Sequence, residues 1–299
     1  MKIHVIITSF NEPATIGKAV EQILGSNREL WPVLELVVTA PDEPTLKAAE
    51  KVCQNYSFTT YRLLKDLGQG KPAALNKAVG TITNSSVSST SEDLLILTDG
   101  DVYLATEAIK NLLNQFTDPS VAGVGGHPVS ADSGQSMYGY FSQLFCAAAH
   151  LTRQKDSRIS MSGYLYAIRT TVVARIFPLP EITRAEDAYI TQKLLSLGFK
   201  IGYASGAVVY VRFPKNFTDW FKQKTRSLGG NVQVDSSARS ITQDLQMMFF
   251  PLFFAKSPIE LFWSLLLYPL RLLLWLKIYY NHALNRYKPG AWERIESSK

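Results

Sequence analysis

Cysteine is nearly missing from the 299 residues: only Cys53 and Cys146 occur, far apart and each inside an apolar, helix-like stretch. A disulfide framework is excluded, and the pair reads as buried thiols of a reducing compartment. Histidine is also scarce. His4, His127, His150 and His282 fall in unrelated segments without zinc-ligand spacing, so no zinc site is expected. No internal repeat of fixed period is present, which sets aside solenoids and propellers. Met1 leads straight into the strand-like run Ile3 to Thr8, without the basic and apolar regions of a cleavable signal peptide. The sequons at Asn84 and Asn216 therefore read as chance matches. A long hydrophobic run is lacking too: Leu261 to Leu270 is half of the roughly 20 residues a spanning helix needs. Arg271 would cost about 2.5–3.5 kcal/mol at a bilayer centre.

What is present is a foldable chain, 46% hydrophobic, with a net charge of +6 spread along its length. Such scattered basicity suits phosphate or anionic lipid and does not single out nucleic acid. Ile3 to Ser9, Leu34 to Thr39, Tyr61 to Leu64 and Leu94 to Thr98 read as buried strands alternating with helices. Pro13 suits the start of the first helix, whose Ile16, Ala19, Val20, Ile23 and Leu24 recur at helical spacing. The alternation predicts a Rossmann-like, mostly parallel, doubly wound α/β sheet with ligands beyond the carboxyl ends of its strands.

Residues 1–104 form the predicted nucleotide-binding half. Residues 105–235 form a second half, with a helix from about Ala105 to Phe116, another around Tyr138 to Leu151, and strands near Leu165 and Val208. Thr81 to Ser91 reads as a solvated loop, and the glycines from Gly123 to Gly126 as backbone approaching a pocket. In residues 241–284, Lys256, Arg271 and Lys277 accompany Trp263, Trp275, Tyr279 and Tyr280. That mixture fits apolar helices lying in the headgroup region or a shallow re-entrant hairpin; a pair of buried core helices is the other reading. Residues 285–299 read as a cytosolic tail.

Asp99-Gly100-Asp101 follows directly on the run Leu94 to Leu97, so two carboxylates emerge at the ligand edge of the sheet around a glycine that permits a sharp turn. Oxygen donors of this kind suit Mg2+ or Mn2+, whose shell is commonly completed by substrate phosphates. The strand leading to Thr8-Ser9-Phe10-Asn11-Glu12, the segment Gly70 to Asn76, the Asp-Gly-Asp motif and Ala185-Glu186-Asp187 follow one another in order. Together they resemble glycosyltransferase family 2, inverting enzymes of the GT-A fold, over roughly residues 1 to 230.

The resemblance implies roles. Ser9, Glu12 and Asp42 would hold the nucleoside, Lys71 would lie near the nucleotide, Asp99 near the donor sugar, and Asp101 on the metal with Asp99. Asp187 would be the base that deprotonates the acceptor hydroxyl, with Glu186 supporting it. Gln223 and Arg226 match the polar positions of the QxxRW motif of processive members, and Ser227 stands where its tryptophan would be. Arg226 suits a diphosphate. Ser162, Gly163 and Trp220 are candidates for the acceptor side.

Several of these residues admit a structural role as well. Asp42 can cap the helix through Leu46, Ala49 and Cys53. Lys71 can be a solvated lysine before Pro72, Glu186 and Asp187 can simply start a helix, and Trp220 can pack with Phe217 and Phe221. The predicted activity is transfer of a sugar from a nucleotide-diphosphate-sugar to a hydroxyl acceptor, lipid-linked or otherwise membrane-proximal, at the cytoplasmic face of a membrane. The rivals are a sugar-1-phosphate nucleotidyltransferase and a non-catalytic, membrane-attached assembly subunit.

Overall fold

The computed structural model describes residues 1–56, 59–85, 92–156, 160–233 and 247–284. The end of the expected Ser/Thr/Asn loop, the boundary between 235 and 241, and the tail at 285–299 lie outside the described residues.

The first half runs β1 (Ile3–Thr8), α1 (Ile16–Gly25), β2 (Leu34–Ala40), α2 (Glu43–Cys53), β3 (Thr60–Lys65), α3 (Lys71–Ser85) and β4 (Leu94–Asp99). β3, β2, β1 and β4 lie side by side and parallel, in that order. Side-chain alternation along β1 explains why both faces are covered. Ile3, Val5 and Ile7 pack with Ile16, Val20 and Ile23 of α1, whereas Ile6 packs with Leu75, Ala78 and Val79 of α3. α1 begins after Pro13, because Thr15 and Ile16 donate back to the Glu12 carbonyl and form a turn first. α3 extends through Ser85, so the first part of the expected loop is helix.

The second half adds β5 (Tyr103–Leu104), α4 (Ala108–Leu113), β6 (Val121–Ser130), α5 (Met137–Lys155), β7 (Leu165–Arg169), α6 (Glu186–Ser196), β8 (Lys200–Val211) and α7 (Phe217–Gln233). β7 runs antiparallel to β4, so both halves share one eight-stranded sheet, β3-β2-β1-β4-β7-β6-β8-β5. α4 is shorter than predicted, since the Ala105 N–H is used by the Val208 carbonyl and the Gln115 and Phe116 N–H groups tighten into three-residue turns.

Gly123 to Gly126 sit inside β6, where a β-carbon on Gly125 would come 3.3 Å from the Ser162 N–H nitrogen. A β-carbon at Gly123 would come 2.7 Å from Leu194, and one at Gly126 would come 3.0 Å from the Ala207 carbonyl. The glycines let neighbouring strands and α6 close on β6.

The C-terminal part holds α8 (Phe250–Phe254) and one continuous helix, α9 (Pro258–Ala283). Ser257 caps α9 by accepting from the Glu260 N–H, and Glu260 accepts from the Lys256 N–H at 2.6 Å. At 26 residues, α9 is long and apolar enough to cross a membrane by length and composition. One face packs on the body through Ser264, Leu267, Leu274, Trp275 and Ile278, while Phe262, Leu265, Leu272, Leu276 and Tyr280 are exposed. Arg271 lies on the packed side with its guanidinium 5.5 Å from the Phe145 ring. Its charge therefore does not interrupt the exposed apolar face.

Candidate active site

The carboxyl ends of β1, β2 and β4 meet at one edge. Thr8 lies in register with Asp99, and the Gly100 N–H donates to the Thr8 carbonyl at 2.9 Å. Ser9 donates to the Glu12 carboxylate at 2.6 Å, both side chains being buried. A β-carbon on Gly100 would fall 2.5 Å from the Ser9 hydroxyl and 3.0 Å from Glu12. The glycine between the two aspartates is thus required by close approach. Asp42 caps α2 through the Thr45 N–H at 2.9 Å, and its other oxygen accepts from the Asn11 N–H at 2.9 Å. Asn11 has φ +55°, a left-handed conformation that asparagine tolerates. Burial works against the Asp42 charge, but the bonds from Thr45 and Asn11 prevail and hold its carboxyl below the ordinary value.

Lys71, at the start of α3, is buried rather than solvated. Its Nζ lies 2.8 Å from Asp99 Oδ1, 2.7 Å from Glu186 Oε1 and 3.1 Å from the Gly163 carbonyl oxygen. Burial disfavours the ammonium, yet Asp99 and Glu186 outweigh it and hold the lysine well above its ordinary pKa. One cation thus ties the end of β4 to the start of α6. Asp187 follows Glu186, and its Oδ2 accepts from the Gly163 N–H at 2.8 Å. Thr191, one turn on, accepts from the Met161 N–H at 3.0 Å and fixes the segment bearing Ser162 and Gly163 against α6.

Asp101 is buried beside a second carboxylate. Burial first, and then the neighbouring Asp99, push its carboxyl up to about 6, against the pull of Lys71 and Arg226. Two adjacent hard oxygen donors of this kind fit a divalent cation. Among the described residues no group of three or more His, Cys, Asp or Glu could hold a metal ion. Asp101 and Asp99 would hold such an ion, with phosphate and water completing its shell.

Lys71, Asp99, Ser162, Gly163, Glu186, Asp187, Gln223 and Arg226 all line one cavity of about 780 Å³. Asp101 couples electrostatically to Asp99, Lys71 and Arg226, each of which lines it. Ser9, Glu12 and Asp42 lie behind this wall, on the β1 and β2 side, and do not line the cavity. Trp220 does not line it either: it is 1% exposed, packed with Tyr140, Phe141 and Leu267. The acceptor-side expectation for Trp220 is thereby corrected, because α9 covers that face of α7. Phe217 and Phe221, its helix neighbours, do reach the cavity.

Residues that motif reading passed over also line it, among them Arg184, Lys222, Lys277 and Asn281. The four-residue spacing of Lys222 and Arg226 places them on one face of α7, a signal visible in the sequence. No signal of that kind links Lys277 to the cavity. Tyr166, buried below the ion network, has a hydroxyl without a hydrogen-bond partner, and its phenol is held well above its ordinary pKa by burial, then by Glu186.

Comparison with known proteins gives the family and the fold. The sequence model for "Glycosyltransferase like family 2" matches residues 2–230. The chain belongs to glycosyltransferase family 2. It is 30% identical over 226 residues to the O-antigen chain rhamnosyltransferase RfbN of Salmonella typhimurium, covering 73% of this chain and 68% of that protein. It is 23% identical to the probable glycosyltransferase YdaM of Bacillus subtilis, covering 78% of this chain and 56% of that one. Among solved structures, the mannosyltransferase PcManGT from Pyrobaculum calidifontis, in complex with GDP-Man and Mn2+, superposes with a TM-score of 0.60 at 17% identity, covering 96% of this chain and 81% of that chain. The fold is GT-A.

Proposed function

We propose that the chain moves a sugar, with inversion, from a nucleotide-diphosphate-sugar to a hydroxyl acceptor in this cavity. The observation that carries the reading is the Lys71 bridge: it holds the Asp-Gly-Asp strand end and the Glu186-Asp187 helix start against a single cleft. The nucleoside lies over the β1 and β2 edge formed by Ser9, Glu12 and Asp42, and the diphosphate extends toward Asp99, Asp101 and Arg226. When bound at Asp101 and Asp99, Mg2+ or Mn2+ supplies positive charge for the departing diphosphate. The bound Mn2+ of the mannosyltransferase structure supports that assignment.

Asp187 takes the proton of the acceptor hydroxyl as that oxygen bonds to the anomeric carbon. The bond from the anomeric carbon to phosphate oxygen breaks, and its electron pair leaves with the nucleoside diphosphate. The Gly163 N–H fixes the direction of the Asp187 carboxyl group at the start of α6. Arg226 suits the charge that accumulates on the leaving group. A saccharide acceptor is supported by the O-antigen relative, and a membrane-proximal one by the exposed apolar face of α9.

Thermal stabilisation by UDP-, GDP- and dTDP-sugars with Mn2+ identifies the donor. With that donor, Asp187→Asn lowers turnover roughly 10²–10⁴-fold while Mn2+-dependent donor binding is retained. Unchanged turnover removes Asp187 from the reaction, and a product of retained anomeric configuration removes the single displacement.

A further inference from the structure

Tyr166 lies on β7, the strand through which the two halves of the sheet join, opposite Leu97 of β4 and Gly125 of β6. Its side chain is fully buried on the face covered by α3 and α6, in one cluster with Leu75 and Ala78 of α3 and Ile190 and Leu194 of α6. Lys71 opens α3 and Glu186 opens α6, so the phenol stands beneath the ion bridge between these two helix starts. Among the described residues its hydroxyl has no hydrogen-bond partner. Burial, and then Glu186, hold the phenol well above its ordinary pKa, so it keeps its proton and can donate it to a bond. A buried donor left unpaired forfeits the bonds it makes to water in the unfolded chain, and native proteins keep few such groups. The hydroxyl therefore points to a partner acquired in another state of the site.

Lys71 shows which state. An ammonium has three N–H donors. Those of Lys71 face Asp99 at 2.8 Å, Glu186 at 2.7 Å and the Gly163 carbonyl at 3.1 Å. Any bond that Lys71 gives to a diphosphate in the cavity is taken from one of the three. Asp99 is compensated by the divalent cation it would hold, and Gly163 stays tied to Asp187 through its N–H at 2.8 Å. Glu186 lines the cavity with Lys71 as its ion-pair partner, and it is the carboxylate left short when Lys71 turns away.

We propose that Tyr166 is a positioning residue for the donor-bound site: as Lys71 turns to the diphosphate, the Tyr166 hydroxyl donates to Glu186 and keeps it, and Asp187 beside it, in place. The proposal rests on the transferase reading and adds to it a residue that no sequence motif marks.

The test reads nucleotide binding and not turnover. UDP, GDP and dTDP, each with Mn2+, are titrated into the full chain and into its Tyr166→Phe variant, and thermal midpoints are followed with and without them. Without ligand the two proteins are expected to melt together, because the hydroxyl removed has no bond to lose. With the nucleotide that stabilises the wild-type chain, Tyr166→Phe is expected to bind about 10-fold more weakly, the scale of one hydrogen bond to a carboxylate. In a Glu186→Gln background the same substitution should cost less than about 3-fold, since the charged partner is gone. A full loss in that background overturns the pairing with Glu186, and if Glu186→Gln does not fold, the Tyr166→Phe comparison decides by itself. A midpoint lowered equally with and without nucleotide makes the hydroxyl a structural group and overturns the proposal. Nucleotide binding by Tyr166→Phe equal to that of the wild-type chain overturns it too and leaves the transferase reading standing. If no nucleotide binds the wild-type chain, the transferase reading falls and takes the proposal with it.

Discussion

Lys71 is the residue on which most of the site depends. It pairs with both Asp99 and Glu186, carboxylates from opposite halves of the chain, in surroundings where an unpaired charge is costly. Lys71→Met should therefore destabilise the fold by about 3–5 kcal/mol, read as a shift in the urea midpoint. A loss under about 1 kcal/mol, typical of a solvent-exposed pair, would mean that the bridge is idle. The sequence marks this lysine through the Gly70 to Asn76 segment but leaves its partners open, because they lie 28 and 115 positions away. Asp42 had two readings, and its geometry gives it both a cap and a clamp on Asn11. Trp220 could not be placed from sequence because its burial depends on α9, a helix beyond an intervening stretch of chain.

Among the elements, the β1–β2–β3 edge carries an ionic network whose pH dependence follows from geometry. Glu35 on β2 is hydrogen-bonded to His4 of β1 at 2.8 Å and paired with Arg62 of β3. The bond from His4 lowers its pKa most; burial opposes, and the Arg62 charge adds to the lowering, so the folded value lies below the ordinary 4.5. A depressed carboxylate contributes stability that is present above its unfolded pKa and lost as pH falls through the folded one. Urea midpoints measured from pH 7 downward should fall below about pH 4.5 partly on this account, and Glu35→Gln should flatten that decline. An unaltered acid limb in the variant would assign the dependence to other groups. β1, β2 and β4 were legible because each is a short apolar run bounded by polar turns. β6 was not, since its glycines exist to admit neighbours that sequence does not reveal.

At the scale of the molecule, α9 completes the fold as well as offering an apolar surface. It covers Tyr140, Phe141 and Trp220, and the Tyr140 hydroxyl meets the Ser264 hydroxyl at 2.6 Å. Leu267, Leu274, Trp275 and Ile278 are buried against α5, α7 and their neighbours. At about 1.5–3 kcal/mol per buried side chain, their removal forfeits on the order of 6–12 kcal/mol, comparable with the whole stability of a domain. A chain ending at residue 246 should bind a hydrophobic dye and lose a cooperative thermal transition. A truncated chain with an unchanged transition would make α9 a detachable anchor.

By itself, the sequence determined which chemistry the chain can carry. Two of the motifs, Thr8 to Glu12 and Asp99-Gly100-Asp101, end apolar runs and mark the carboxyl edge of a sheet, because strand and turn patterns are local and survive without a partner. Tertiary structure decided which of those motifs share a cavity, which tryptophan is core, and which face of the C-terminal helix remains open. Those are questions of distance between segments far apart in the chain, and local pattern carries no information about which of them close on one another.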